Sequence, residues 1–280
     1  MPVFSTPDPI SVLLDLPAGD VHIDARHRRE TVVTMHSDCG GPPPEVVFAK
    51  GRLVINGSAA DADDCDGTVD LEIQLPAGSS IEGVTREGGF RGVGRLGTCA
   101  LRTDHGEIEL DETGPITLAT DSGDITVARV TGHAEIASKS GEIQIDRIDG
   151  TAHLANEYGG TEIGNVTGDL WLHARDADIV VGRAHGNVDA RSDSGDIRIS
   201  EVDQGSVLAV SDAGNIEIGV AESSSALLDL KSLNGRVNNS ISVAVVPEQT
   251  GRGVEIQARS HHGDININPL GLHRVRCSHR

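Results

Sequence analysis

From Gly106 to Ile218, apolar and polar residues alternate in short runs, and nearly every run follows a glycine. Gly123-Asp124-Ile125-Thr126-Val127 and Gly195-Asp196-Ile197-Arg198-Ile199 are examples. Alternation of this kind marks a strand with one buried face, and glycine supplies the turn ahead of it. The glycines form two interleaved series. Gly88, Gly106, Gly123, Gly141, Gly159, Gly195 and Gly214 make the first, with Ala177 in the place of one member. Gly97, Gly114, Gly132, Gly150, Gly168, Gly186 and Gly205 make the second, and every step in either series is 17, 18 or 19 residues. A fixed step of that size predicts stacked repeats rather than one compact globule.

Within one repeat, Gly132 to Asp149, Ala134 and Ile136 point inward after the first glycine, and Ile143 and Ile145 do so after the second. Ile148 adds a fifth apolar position that recurs as Val130, Val166, Ala184 and Val202, which predicts two strands and a short third side per coil. A left-handed hexapeptide helix needs an apolar residue every sixth position and fails at Thr131, six after Ile125. A calcium β-roll needs Gly-Gly-x-Gly in every half-turn, and that spacing does not recur here. The pattern therefore predicts an all-β chain folded as a right-handed parallel β-helix with coils of ~18 residues.

Residues 1–77 read differently, with longer alternating runs divided by loops rich in Pro, Gly and Asp. They are expected to form an irregular N-terminal β segment that caps the coils, since the open end of a solenoid exposes unpaired strand edges. Residues 78–270 are expected to be coils with an inserted loop at 243–253, ending on a last rung at Gly263-Asp264-Ile265-Asn266-Ile267, and 271–280 a flexible tail.

Three motifs together resemble one family: the phrase Pro17-Ala18-Gly19-Asp20-Val21 that closes the first strand, the tandem coils of the Ser194-Gly195-Asp196-Ile197-Arg198-Ile199 type, and the terminal Gly263-Asp264-Ile265-Asn266-Ile267. The chain is similar over nearly its whole length to the bacterial "putative adhesin" family of β-strand-repeat proteins of unknown function, in its signal-less actinobacterial form. That resemblance implies a β-helix and brings no catalytic residues with it.

Composition narrows the partners. The only aromatic residues are Phe4, Phe48, Phe90, Tyr158 and Trp171, so the core is expected to be narrow and aliphatic. A net charge of −20 argues against nucleic acid and against an anionic membrane surface. The N-terminus has neither a basic segment nor an apolar stretch of the signal-peptide kind, and no apolar run approaches the ~18 residues of a membrane span. A cytoplasmic, reduced protein is expected, although Cys39 and Cys65 sit in loops that a disulfide could join.

The column following the first-series glycines is acidic: Glu107, Asp124, Glu142, Asp178 and Asp196, broken by Gly160 and continued by Asn215. Carboxylates ~5 Å apart repel by about 1 kcal/mol in water, which a Ca²⁺ ion would relieve. Acidic and amide side chains also suit such a turn by accepting backbone N–H bonds, and on that reading the column binds no metal. The loop Asp61 to Gly67 with Glu72 echoes a calcium loop, but Cys65 and Asp66 occupy positions that want an oxygen ligand and a glycine. His261, His262, His273, Cys277 and His279 have irregular spacing. No phosphate-cradling glycine motif opens a helix, so no cofactor is expected.

Two outward columns decide between enzyme and binding module. One reads Thr117, Glu135, His153, Trp171, Asp189, Leu208, and the other includes Arg198. Glu135 and Asp189 are three coils apart, about 14 Å at the usual strand spacing, too far for paired-carboxylate glycoside chemistry. No catalytic residues are assigned. The expectation is a non-enzymatic scaffold or binding module, a monomer or small oligomer that meets a protein or a surface polymer through Trp171 and Arg198. The alternatives are a cytoplasmic β-helix that polymerises end to end, and a polysaccharide lyase or hydrolase.

Overall fold

The computed structural model describes residues 1–37, 43–57, 68–221, 224–241 and 253–270, and the regular elements among them are all strands. They form two open sheets of 14 and 13 strands, mostly parallel. From Ser80–Glu87 to Ile216–Val220 the chain alternates between the sheets, so a strand pairs not with its neighbour in sequence but with the next strand of its own sheet. In the first sheet Ile125 lies beside Ile143, and in the second Ile136 lies beside Leu154. Like side chains thereby stack between the sheets, and Ile125, Ile143, Ile179, Ile197 and Ile216 are all buried in one continuous core. Each contributes roughly 1.5–3 kcal/mol of apolar burial.

The fifth apolar position does not make a third side. Val130 and Ile148 pair with each other inside the first sheet, near the ends of the strands Ile125–Thr131 and Ile143–Asp149. Two exposed residues in a row, Ala128 and Arg129, interrupt the alternation and turn Val130 back toward the core.

The second sheet has a buried column that the alternation of its first two core positions does not announce, and it is polar. Thr103, Thr120, Ser138, Asn156, Ser192, Ser211 and Ser260 are buried there, with Ala174 among them. Most are aimed at backbone carbonyls of the first glycine series: Thr103 Oγ1 donates to Gly88 O at 2.8 Å, and Ser211 and Ser260 donate to Gly195 O and Gly214 O at 3.0 Å each. A buried hydroxyl usually has such a partner; Ser138 Oγ is the member of the column without one among the described residues. Ser211→Ala is expected to lower stability by about 1 kcal/mol, read as a drop of a few degrees in thermal melting by circular dichroism. Cys99 is fully buried in the same sheet, and burial pushes its thiol up to about 12. In the folded protein it is expected to stay unalkylated by iodoacetamide at about pH 8, with peptide mass spectrometry as the check.

The N-terminal residues join the same two sheets. Ser11–Ala18 pairs in parallel with Ser80–Glu87, and Val21–Arg26 with Phe90–Arg95. Beyond them pairing becomes antiparallel: Val3–Ser5 with Glu30–Ser37, Glu30–Ser37 with Val69–Pro76, and Glu45–Ala49 with Arg52–Asn56. The last pair turns through Lys50 and Gly51, both at positive φ, as a tight two-residue hairpin requires. Phe4 from one sheet meets Phe48 from the other at 5.0 Å between ring centroids and covers this end of the core.

The other end departs from sequence order. Ile265–Pro269 lies between Ile216–Val220 and Val237–Asn239, and Gly253–His262 lies between Gly205–Ala213 and Ser225–Ser232. The rung at Gly263 to Ile267 is thus second from the end, and the segment 224–239 forms the outermost rung.

Candidate functional site

The acidic corner is a chain of side-chain-to-backbone hydrogen bonds. Asp124 Oδ1 accepts the Glu142 N–H at 2.7 Å, Asp178 Oδ1 that of Asp196 at 2.7 Å, and Asp196 Oδ1 that of Asn215 at 2.7 Å. Asn215 Oδ1 then accepts the Asp264 N–H at 2.9 Å, and Asp264 Oδ1 that of Arg236 at 2.8 Å. At the N-terminal end Asp70 and Asp20 continue the series, taking the N–H groups of Asp20 at 3.0 Å and Gly89 at 2.8 Å. Each of these side chains thus has one oxygen engaged with the next rung. Glu107 and Glu142 share the column, but their carboxylates make no bond of this kind. Asp20, Asp70 and Asp264 are members that the glycine series did not include; Asp20 and Asp264 directly precede a Val or Ile that starts a strand, and Asp70 is the second residue of Val69–Pro76. Among the described residues no group of three or more His, Cys, Asp or Glu is placed to hold a metal ion. The Asp61–Gly67 loop, Cys39 and Cys65, nearly all of 243–253, and His273, Cys277 and His279 lie outside the described residues.

Outer cations are mostly paired with carboxylates of the same or a neighbouring rung. Lys139 Nζ lies 2.6 Å from Asp121, whose carboxyl is held below the usual range by that bond first. Arg147 and Arg129 both bond Asp149 and lower it likewise. Arg198, on the first sheet, is engaged by Glu217 at 3.0 Å. Trp171 is on the second sheet, so the structure does not bring the two predicted partner-binding residues onto one face.

Around Trp171 the surface has a different character. Glu135, His153, Trp171 and Asp189 stand side by side on adjacent strands, and the next outward row reads Ala137, Ala155, His173 and Arg191. The alanines leave a shallow groove of about 370 Å³ along these two rows. His153 lies against Trp171 with ring centroids 4.3 Å apart, and His133 meets His153 edge-on at 5.4 Å. Asp189 is locked by Arg191, with Nε–Oδ1 2.8 Å and Nη2–Oδ2 3.0 Å, and this partner raises the Arg191 guanidinium. By contrast, no protein hydrogen bond or ion pair engages Glu135, His173 or the Trp171 indole N–H among the described residues. Trp171 is 40% exposed. The chain thus offers one groove with a stacked aromatic wall, a small-residue floor and free hydrogen-bonding groups. Among the described residues no helix is long and apolar enough to cross a membrane.

The family model described as Toastrack DUF4097 matches residues 65–268. Among solved structures, the chain is similar to one titled a putative cell adhesion protein from Clostridium sporogenes, at 11% identity, covering 96% of this chain and 98% of that one, with a TM-score of 0.25. It is also similar to one titled a putative adhesin from Bacteroides fragilis, at 14% identity, covering 96% and 95%, with a TM-score of 0.33. Among curated proteins none matches the chain.

Proposed function

The chain belongs to the Toastrack DUF4097 family, and on that premise we propose that it is a non-enzymatic binding module that presents the Trp171 side of its second sheet to a protein or a surface polymer. The groove beside Trp171 carries this reading, because it gathers an exposed indole, a small-residue floor and free polar groups in one place. The fold we infer is a right-handed parallel β-helix with coils of about 18 residues, a shape that offers long flat faces rather than a deep cleft. Asp121 and Asp149 are held ionised by hydrogen bonds to Lys139, and to Arg147 and Arg129, as suits a structural ladder rather than an acid catalyst. Native protein and its Trp171→Ala variant, immobilised in parallel, test this against lysate and cell envelopes of the source organism. Capture by the first and not the second is expected. Equal capture by both would overturn the placement on this face.

A different observation favours end association as a second reading. Ala226, Leu228 and Leu230 on the outermost rung are only half-buried, and Leu227, Leu233 and Val237 nearby are exposed. The opposite end is covered by antiparallel strands and the Phe4–Phe48 contact. With one open end and one covered end, copies associate in pairs and not in filaments. Light scattering is expected to show at most a dimer as salt rises through about 0.15 M, where screening falls to ~8 Å. Filaments by negative-stain microscopy would refute it.

A further inference from the structure

We propose that the groove beside Trp171 binds an uncharged, extended chain of hexose rings running along the stack, about one ring per rung. This rests on the binding-face reading above and names its ligand class. The first argument is the wall: Trp171 and His153, with ring centroids 4.3 Å apart, present aromatic surface for the C–H face of a sugar ring. The second is the hydrogen-bonding set. Glu135 offers acceptors and the Trp171 indole N–H a donor, neither of them engaged by the protein among the described residues. Hydroxyls on different rings of one chain can donate to the first and accept from the second.

Charge and geometry exclude the competitors. The net charge of −20 and the Glu135 and Asp189 carboxylates disfavour nucleic acid and uronate polymers. An extended peptide would look for main-chain partners, but Ala152–Tyr158 and Leu170–Asp176 are each paired on both sides, so the groove has no free strand edge. Rungs repeat at about 4.8 Å, a spacing close to that of consecutive rings in an extended hexose chain. The alanine floor continues in register to Ala119, beside Ala137, so a polymer can run on past the site.

Trp171 is the single tryptophan, so intrinsic fluorescence reports this site alone. Titration with cellohexaose, mannohexaose and laminarihexaose is expected to shift the emission for at least one of them, with a Kd of about 0.1–1 mM. A galacturonate hexamer is expected to give no shift. E135Q should weaken binding by about 3–10-fold through the lost charged acceptor. Ala155→Arg, at an exposed strand position, should fill the floor and abolish the shift while the melting curve stays unchanged. W171A, followed by calorimetry, should bind at least about tenfold more weakly. Silence from all three neutral hexamers up to about 10 mM, equal binding of the galacturonate hexamer, or binding unaffected by A155R overturns the proposal. If the sugars fail while Trp171-dependent capture from cell envelopes persists, only the ligand class falls. If both fail, the binding-face reading falls with it.

Discussion

Gly159→Ala is expected to destabilise the protein by about 3 kcal/mol or more, while Gly160→Ala, one residue further on, is expected to be neutral or slightly stabilising. Gly159 has a φ of +117°, and a Cβ on it would lie 2.3 Å from the carbonyl oxygen of Gly141 in the preceding rung. A Cβ on Gly160 would meet nothing within 4 Å. The close approach repeats down the corner: a Cβ on Gly123 would reach Gly106 O at 2.1 Å, and one on Gly214 would reach Gly195 O at 2.0 Å. Each first-series glycine therefore lets one rung settle on the carbonyl of the last, besides making a turn. Ala177 holds one place in the series without a positive φ, Lys50 being the only non-glycine at positive φ among the described residues. Thermal melts by circular dichroism should fall by roughly 5–10 °C for Gly159→Ala and stay level for Gly160→Ala. Equal behaviour of the two would refute the stacking account.

The second large effect is expected at Ile197, which is fully buried and stacked between Ile179 and Ile216. Ile197→Asp places a carboxylate with no partner in an aliphatic column, at a cost of several kcal/mol. Ile197→Val in the same place should cost only about 1 kcal/mol. The sign of the pH dependence follows from burial. The buried Asp has its pKa raised above the unfolded value of about 3.9, so its destabilisation deepens as pH rises from about 4 through the raised folded-state pKa. Because rungs contact only their neighbours, the damage should be local. Amide hydrogen exchange is expected to speed up from about residue 179 to 218 and to remain slow around Ile125. A uniform loss of protection would contradict the nearest-neighbour picture.

Most of the core could be read from the chain, because a period of 2 inside a period near 18 leaves few choices for which side chain faces inward. Ile108, Ile125, Ile143, Ile163 and Ile197 are buried as their spacing predicts. What escaped was whatever departs from that period. Ser138, Asn156 and Ser211 are inward yet polar, and a polar residue two places after an inward Ile, Leu or Ala reads as surface. Their recurrence at steps of 18 or 19 was the available signal. The Val130 column read as a separate side because a two-residue interruption resembles a corner. Trp171 stood out by its rarity, but its groove depends on Ala137 and Ala155, whose smallness gives no alternation signal. Arg198 stood out by charge and proved to be one partner of an ordinary ion pair with Glu217.

The strand order at the C-terminal end sets a sequence of events. Segment 224–239 leaves the growing chain before 253–269, yet among the described residues it makes its lateral pairs only with strands of the later segment. During synthesis it therefore has nowhere to dock until residues 253–269 have emerged, and until then the rung at 205–220 is itself an exposed edge. The later segment fills both vacancies at once, pairing with Gly205–Ala213 on one side and Ser225–Ser232 on the other. A chain interrupted near residue 250 would carry two unsatisfied edges instead of one. Such a protein distinguishes its finished form from its unfinished ones by which edges it shows, a difference that quality-control proteases and chaperones are equipped to sense.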